Sequence, residues 1–312
     1  FVGGQLVEQL VLHEGAKVRV FVHRWNKAAY VSRFDVEYVQ GNIFDAASML
    51  KAAKGCDYIM HLAITGGGTC EESIVNSEKA IETLMYAAKE NNVKHVVNVS
   101  SVVVHGETVP KDLSADSPLI SYDDAYAAGK LAAEKRFRKL LDEYNLHGSV
   151  IRPTYIWGPY SMWYTIHILN LMKKGEFAWV ENGNGICNAV YVGNVVDMCI
   201  KCCSESAADH QAFIATDGEQ LTWREFYGQY MQMIGKRPED YLSVPIQPSA
   251  MRRMRLIMQN ILEENMKKLM DKYETLKPTS PRIALWIYKA PRKVLRHLRN
   301  VVMWHIAEKG AV

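Results

Sequence analysis

The sequence predicts an α/β protein built on a doubly wound parallel sheet. Short runs of β-branched residues alternate with longer segments of helical periodicity over the first 153 residues. Strands that alternate with helices of this length form parallel sheets. A chain of 312 residues is long enough to bury the core of such a sheet and of a smaller second lobe.

The first predicted element is a helix, because Leu6, Val7, Leu10 and Val11 recur at helical spacing before Gly15. Each later β-branched run predicts a strand, and the segments between these runs predict helices. The predicted strands are 17–22, 35–39, 57–62, 94–99 and 147–151, and the predicted helices lie around 46–53, 71–91 and 122–144.

Gly3 and Gly4 stand at the start of the first helix. In a Rossmann unit a strand and a glycine turn precede a helix whose N-terminus carries a pyrophosphate. Phe1-Val2-Gly3 is similar to the end of such a turn, and we expect the first strand and the earlier glycines upstream of residue 1. A plain turn at Gly3-Gly4 is the alternative. The first interpretation makes the sheet Rossmann-type.

The alternation loosens after Pro153, which indicates a smaller lobe. Its predicted helices lie near 164–174, 195–204 and 222–234, and its predicted strands near 177–180 and 186–190. We therefore expect a dinucleotide-binding Rossmann domain at 1–153. A substrate-binding lobe follows at 154–249, with some of its elements packing back on the sheet, and a basic helical extension at 250–312.

Composition excludes several classes of protein. The net charge of +3 is too small to indicate a nucleic-acid binder. The six cysteines show no disulfide framework and no signal-peptide pattern opens the sequence, so we expect reduced thiols and a cytoplasmic location. Cys199, Cys202 and Cys203 lie in an apolar helical stretch without a second ligand pair, so we expect no metal site.

The strongest chemical signal is Tyr126-Ala-Ala-Gly-Lys130 inside a predicted helix. Residues four apart face the same side of a helix. A nearby ammonium stabilises a phenolate, so we expect Lys130 to lower the pKa of Tyr126 from about 10 and make it a proton-transfer group. The alternative is a pair on a solvated face.

Ser101 follows the buried strand 94–99, and catalytic groups of open α/β sheets lie at the carboxyl ends of strands. Its hydroxyl can bind the substrate oxygen while Tyr126 moves the proton. The alternative is a serine whose hydrogen bonds are satisfied locally.

Further motifs occur in order along the chain. They are Gly41-Asn42-Ile43, His61-Leu62-Ala63, Asn76 in a long helix, Ser100-Ser101 with Gly106, Tyr126 with Lys130, Arg152-Pro153-Thr154-Tyr155 with Gly158-Pro159, and Val190-Tyr191-Val192-Gly193-Asn194. Over residues 1–235 this set resembles the NAD-dependent epimerase/dehydratase family, the extended branch of the short-chain dehydrogenases/reductases. Asn42 and Asn194 stand where that family usually has Asp.

The resemblance implies a catalytic set of Ser101, Tyr126 and Lys130, with Asn76 as the active-site asparagine and Lys130 also holding the nicotinamide ribose. The expected cofactor-binding residues are Phe1, Val2, Gly3, Arg24, Asn42, Ile43, Leu62, Ala63, Ser100, Tyr126, Lys130, Pro153 and Tyr155. Members of the family often dimerise through the helices that carry the tyrosine, so we expect a homodimer.

The end of the second Rossmann strand bears on the cofactor. A carboxylate there accepts the ribose hydroxyls of NAD, whereas an arginine suits the phosphate of NADP. The strand 17–22 is followed by His23-Arg24 without an acid, which favours NADP, with NAD as the second option. Arg24 could instead stack on the adenine or remain solvated.

Val102 and Val103 bear on the reaction. Dehydratases of the family have acidic residues directly after the catalytic hydroxyl, so these valines argue against dehydration. Cys187-Asn188 stands where many nucleotide-sugar members have an arginine, which favours a reductase or dehydrogenase acting on a secondary alcohol or ketone. A nucleotide-sugar epimerase and a non-catalytic NADP-sensing or scaffold protein remain as alternatives.

The last segment of the sequence is basic. Residues 250–312 contain 14 Lys and Arg against 5 Asp and Glu, a local net charge of +9. Within 281–306, apolar residues at helical spacing alternate with arginines, and Trp286 and Trp304 stand near the ends. Peripheral contact with an anionic membrane is one interpretation. An amphipathic helix that packs on protein is the other.

Overall fold

The computed structural model describes residues 1–107 and 112–245. The predicted basic extension at 250–312, with its 281–306 segment, lies outside these residues, and its role stays a prediction. None of the helices in the described part of the chain combines the length and hydropathy that a membrane crossing requires.

The elements follow the predicted alternation. The helices are α1 Val2–Leu12, α2 Ala46–Ala53, α3 Cys70–Glu90, α4 Ala125–Tyr144, α5 Ile168–Lys174, α6 Val192–Ser204 and α7 Trp223–Met233. The strands are β1 Arg19–Val22, β2 Glu37–Gln40, β3 Tyr58–His61, β4 His95–Val99, β5 Gly148–Pro153, β6 Tyr155–Trp157, β7 Trp179–Val180, β8 Ile186–Cys187, β9 Ala189–Tyr191, β10 Ala212–Ala215, β11 Leu221–Thr222 and β12 Ser243–Val244.

The central sheet is parallel, which confirms the predicted Rossmann-type class. Its strand order is β10-β5-β4-β3, and β1 pairs with β2 in a separate parallel sheet. In the Rossmann order the first strand lies between the strands that correspond here to β1 and β3. The first strand expected from the sequence stays a prediction.

The two faces of β4 bury different sets of side chains, because successive residues of a strand point to opposite sides. Val96 packs in a cluster with Phe137 of α4, on the side covered by α3 and α4. Val97 and Val99 pack in a second cluster with Leu6 of α1 and with residues of α6. The sheet is therefore sandwiched between two helical layers.

Side-chain caps fix where the two site-bearing helices begin. Thr69 accepts a hydrogen bond from the Glu72 backbone N–H at 3.2 Å and starts α3. Asp124 accepts from the Ala127 N–H at 2.8 Å and starts α4 two residues before Tyr126. Such caps satisfy backbone donors that have no partner within the helix. The cap at Asp124 also explains why α4 begins three residues later than the predicted 122.

The described chain divides into two compact units. The first comprises Phe1–Glu176 and Ile186–Ile234 and contains the central parallel sheet, and the second contains Phe177–Gly185 and the described residues 235–245. In the second unit β7 pairs with β12, and the Trp179 indole donates to the Pro238 carbonyl at 3.0 Å. The predicted boundaries at 153 and 249 stay predictions.

Candidate active site

A cleft with about 390 Å³ of empty space opens at the carboxyl ends of β3 and β4, next to α3 and α4. Its lining residues are His61, Ala63, Ile64, Thr65, Gly66, Ser77, Asn98, Ser100, Ala125, Tyr126, Gly129, Lys130 and Ala133. Four of the predicted site residues are thus brought together: Ala63, Ser100, Tyr126 and Lys130.

Lys130 forms part of this cleft from α4. Its ammonium donates a hydrogen bond to the Val99 carbonyl at the end of β4, at 2.8 Å. Burial disfavours the charged form and lowers the pKa of Lys130 to about 8. The amine therefore remains mostly protonated at neutral pH, and it is anchored to the sheet.

Tyr126 also lines the cleft, with the Lys130 nitrogen 6.0 Å from the centre of its ring. Although the residue as a whole is 43% exposed, loss of water around the phenol raises its pKa, and the nearby Ser101 hydroxyl opposes this rise. The expected lowering of the Tyr126 pKa is wrong for this structure, because loss of water around the phenol is the largest influence and raises that pKa.

Ser101 is buried and caps the 3-10 turn Val102–His105. Its oxygen accepts a bond from the Val103 N–H at 3.4 Å, and its hydroxyl lies close enough to the Tyr126 phenol to lower the pKa of that phenol. The turn thus holds a hydroxyl against the phenol at the end of β4. The catalytic roles of Ser101, Tyr126 and Lys130 stay predictions.

His61 and Asn98 were not predicted as site residues. They are neighbours in the β3–β4 register, and both line the cleft. Burial, and then the nearby Lys130 charge, lower the pKa of His61 to about 3, so its ring is neutral. A sequence signal was available: both are polar residues in the last two positions of their strands, on the face where Ile59 and Val96 enter the core.

Asn76 lies on α3 outside the set of lining residues. Its amide donates to the Gly66 carbonyl at 3.1 Å, and Gly66 forms part of the cleft wall. The neighbouring Ser77 lines the cleft instead and donates to the Thr65 carbonyl at 2.9 Å. In this structure Asn76 therefore shapes the wall, and its proposed direct role stays a prediction.

The first residues of the chain belong to α1 rather than to a loop. Phe1 occupies the N-cap position, and Val2 and Gly3 begin the first turn, where the Gly4 N–H donates to the Phe1 carbonyl at 3.1 Å. Backbone N–H groups of a first helical turn are available to an anion.

Other predicted cofactor contacts lie at strand ends. Arg24 is exposed just after β1, Asn42 accepts from the Phe44 N–H at 3.1 Å, and the Ile43 carbonyl accepts from Thr83. Leu62 instead packs against the core on the α1 side. Pro153 ends β5 and Tyr155 begins β6 with 42% of its surface exposed.

The cleft fits the ribose and amide groups of a nicotinamide dinucleotide. Asn98 is 2% exposed, and its amide nitrogen has no hydrogen-bond partner among the described residues. A buried donor of this kind needs an acceptor. Together with Lys130 and neutral His61 it forms a polar floor that can bind hydroxyl or carbonyl oxygens. No group of His, Cys, Asp or Glu side chains in the described ranges could hold a metal ion.

Comparison with known proteins gives a family match. A model of the 3-beta hydroxysteroid dehydrogenase/isomerase family matches residues 1–227. A ketoreductase of Stigmatella aurantiaca, named for a 4-hydroxy-2-methyl-3-oxo-4-farnesyl-3,4-dihydroquinoline-1-oxide, is 22% identical over 77% of this chain and 72% of its own length. An N-acetyl-alpha-D-glucosaminyl-diphospho-ditrans,octacis-undecaprenol 4-epimerase of Escherichia coli O157:H7 is 23% identical over 79% and 73%.

A solved structure shares the fold. UDP-glucuronic acid 4-epimerase from Bacillus cereus, crystallised in complex with NAD, superposes with a TM-score of 0.67. It is 17% identical, and the match covers 78% of this chain and 84% of the epimerase. At that identity the likeness supports the Rossmann-type fold and no finer conclusion.

Proposed function

The chain belongs to the 3-beta hydroxysteroid dehydrogenase/isomerase family and is an NAD(P)-dependent enzyme, and from this premise we propose that it transfers hydride at a secondary alcohol or ketone. The family confirms the predicted resemblance to the extended short-chain dehydrogenases/reductases. The observation that carries the proposal is the Tyr126 phenol, which lines the cleft beside Ser101 and the partly buried Lys130.

Each residue of the cleft has its own role in the proposed reaction. When bound, the nicotinamide donates or accepts the hydride. Ser101 holds the substrate oxygen by a hydrogen bond, and Tyr126 gives it a proton on reduction or takes the proton on oxidation. Lys130 and Asn98 hold the ribose, and Lys130 offsets the negative charge that develops on Tyr126 once the phenol has lost its proton.

An aromatic wall next to Tyr126 supports an apolar substrate. Tyr155 packs edge-on against Tyr164 at 5.0 Å and Trp223 at 5.3 Å, and Trp223 stacks on Tyr227. Burial raises the pKa of Tyr164, with smaller contributions from the phenols of Tyr155 and Tyr126 in its surroundings. Aromatic faces bind flat apolar rings well. A hydrophobic cyclic ketone or alcohol is the substrate class we propose.

A nucleotide-sugar epimerase is the second candidate, supported by the epimerases among the similar proteins. Cys187 weighs against it. This residue stands where an arginine would meet a diphosphate, and it is a buried thiol whose pKa burial raises to about 11. A neutral buried thiol offers no charge to a diphosphate. Assays with UDP-sugars and with hydrophobic ketones would separate the two candidates.

The test of the proposed reaction is Tyr126→Phe. Loss of the proton-transfer group lowers kcat by about 10²–10⁴-fold, while the affinity for the cofactor, measured by nicotinamide fluorescence, stays close to that of the wild type. Tyr122→Phe serves as the control, because Tyr122 is another phenol near the site that we assign no role. Wild-type protein that binds the dinucleotide but converts no ketone, alcohol or UDP-sugar would favour the sensing or scaffold alternative.

We propose NADP as the preferred cofactor, with NAD as the second option. Arg24 follows β1 with its guanidinium exposed, and Lys27 lies in the 3-10 turn that Arg24 caps. An Arg24→Ser variant loses the planar partner of the 2′-phosphate. We expect NADP affinity to fall about tenfold with NAD affinity unchanged, and Lys27→Ser to have a smaller effect. Equal losses for both cofactors in titrations would argue that Arg24 contacts the shared part of the molecule.

A cytoplasmic location, a homodimer and peripheral membrane contact through 281–306 also remain proposals. Light scattering of the purified protein tests the dimer. Flotation with anionic vesicles at low salt tests the membrane contact.

A further inference from the structure

Three buried ionisable side chains meet in the interior behind the cleft, and the partly exposed Arg138 also donates to the Glu134 Oε1 at 3.3 Å. Glu134 of α4 is 0% exposed, Arg152 of β5 is 2% exposed, and His105 is 1% exposed. The Arg152 Nε donates to both Glu134 oxygens at 3.2 Å, and its Nη2 donates to Oε1 at 2.5 Å. The remaining terminal nitrogen, Nη1, lies 3.1 Å from the His105 Nε2 and donates to the Ala115 carbonyl at 2.6 Å.

The donors and acceptors fix the protonation of this cluster. A guanidinium can only donate, so His105 Nε2 must accept and Nδ1 must carry the proton. That proton points to the Pro118 carbonyl at 3.2 Å. Burial, together with the Arg152 charge, lowers the pKa of His105, in agreement with a neutral ring. Burial alone would raise the pKa of Glu134, but Arg152 outweighs it and keeps the carboxylate ionised.

A buried ionic cluster of this kind adds little to the free energy of unfolding. Removing two charges from water costs about as much as their attraction returns, and apolar replacements of a buried pair are often neutral or stabilising. A fully hydrogen-bonded ionic cluster does, however, fix the relative positions of the segments that contribute to it.

The segments joined here carry the proposed catalytic groups. Glu134 lies on α4, two turns after Tyr126. His105 ends the 3-10 turn that Ser101 caps, and the Val104 N–H donates to the Ser101 carbonyl at 3.3 Å within it. Arg152 binds both residues from β5. Arg152 therefore links the 3-10 turn that Ser101 caps to helix α4, which carries Tyr126.

We propose that Glu134, Arg152 and His105 form a positioning network that holds the Ser101 hydroxyl against the Tyr126 phenol. The network touches neither substrate nor cofactor and acts through Ser101. This inference rests on the proposed function, since it assigns the cluster to the same proton transfer.

A pair of variants separates positioning from stability. Glu134→Gln leaves Arg152 without its counter-charge, whereas Glu134→Met/Arg152→Met removes both charges. We expect the double variant to have a higher unfolding temperature than Glu134→Gln, while its kcat stays about 100-fold below wild type because the catalytic groups are misplaced. The control is Glu82→Met/Arg136→Met, which removes a partly exposed 2.8 Å ion pair of α4 with α3 and should keep wild-type kcat.

The pH profile gives a readout that a purely structural role would not move. In the alcohol-oxidising direction Tyr126 must lose its proton; loss of water around the phenol raises its pKa, and the nearby Ser101 hydroxyl opposes this rise. Displacement of Ser101 therefore shifts the rising limb of kcat to higher pH in the double variant. If the double variant regained both wild-type kcat and the wild-type position of the rising limb together with its higher unfolding temperature, the cluster would act through stability alone. That result would overturn the positioning role.

His105 offers a milder substitution if the charge variants fold poorly. Glutamine keeps an oxygen that can accept from Arg152, whereas leucine has no acceptor. We expect His105→Gln to keep kcat within about tenfold of wild type and His105→Leu to lose about 100-fold, with equal cofactor affinity in both. Equal kcat values for the two variants would contradict the proposal.

Crystal structures of the wild type and of the double variant would show the positions of Ser101 and Tyr126 independently of any activity assay. We expect the Ser101–Tyr126 hydrogen bond in the wild type and its loss in the variant. A retained bond in the variant would overturn the network's role. Wild-type turnover that depends on Tyr126, combined with that retained bond, would leave the proposed reaction standing and remove only this inference.

Discussion

The surroundings of Lys130 affect both the charge and the position of its amine. Burial lowers its pKa to about 8, while the Val99 carbonyl accepts its hydrogen bond and holds the amine in the cleft. The pKa of Tyr126 shifts in the other direction, because loss of water around its hydroxyl raises it. At the scale of single residues, the structure therefore shows a Tyr126 phenol that gives up its proton less readily than in water and a Lys130 ammonium that gives up its proton more readily. How well the two pKa values suit proton transfer depends on the group that binds between them.

Lys130→Met tests the charge with little change of shape. We expect kcat to fall at least about 100-fold because the phenolate loses its cation, and cofactor affinity to fall because the ribose loses a donor. In the wild type the affinity should decrease as pH rises through about 8, where Lys130 deprotonates. The variant should show no such decrease, and fluorescence titrations between pH 6 and 9 would measure it.

Lys135→Met is the matched control, since Lys135 lies on the same helix and is exposed. It should keep wild-type kcat and the wild-type pH dependence. If Lys130→Met retained the fall in affinity above pH 8, another group would have to be responsible for it.

Helix α4 is the element that makes the site. Asp124 sets where it begins, so that Tyr126 and Lys130 face the cleft one turn apart. Gly129, between them, lets α4 approach α3 closely, since a Cβ there would stand 2.9 Å from the Ser77 hydroxyl and 3.3 Å from the Ser73 carbonyl. The Tyr-x-x-x-Lys spacing was readable from the sequence, but this helix contact was not.

Gly129→Ala should therefore destabilise the protein even though alanine favours helices. Overpacking costs about 1–3 kcal/mol and the helical gain is about 1 kcal/mol, so we expect a net loss of up to about 2 kcal/mol. Gly3→Ala, at a helical glycine with nothing within 4 Å of the added carbon, should not destabilise. Urea unfolding of both variants measures the difference.

Ser77→Ala in the Gly129→Ala background removes the closer of the two contacts and should recover part of the loss. A Gly129→Ala protein at least as stable as the wild type would show that α3 and α4 adjust without cost.

The whole molecule should lose stability in mild acid, because it folds around neutral histidines. Burial lowers the pKa values of His61, His95 and His105, that of His61 to about 3. The unfolded chain takes up protons near pH 6.5 and the folded chain does so only at lower pH. Stability is therefore fully present above pH 6.5 and declines as the pH falls.

His61→Gln should flatten this decline. For one such histidine the free energy of unfolding falls by about 2 kcal/mol between pH 6.5 and 5, and the variant should lack that share. His13→Gln, at an exposed position after α1, should decline like the wild type. Urea unfolding at several pH values gives the slopes, and identical slopes for His61→Gln and wild type would contradict the assignment.

The sequence by itself determined the Rossmann-type class and the order of the elements. Period and turn residues are local properties, and they appear in any window of the chain. The same holds for the pairing of Tyr126 with Lys130, which helical spacing dictates. A motif order that spans residues 1–235 was also enough to identify the family.

Only the tertiary structure decided how those groups behave. His61 and Asn98 became site residues because β3 and β4 pair in one register, and the rise in the Tyr126 pKa came from burial that no local pattern reports. The Glu134–Arg152 pair joins residues 18 apart in sequence. Desolvation and contact between distant segments depend on packing, and packing is set by the whole fold rather than by neighbours along the chain.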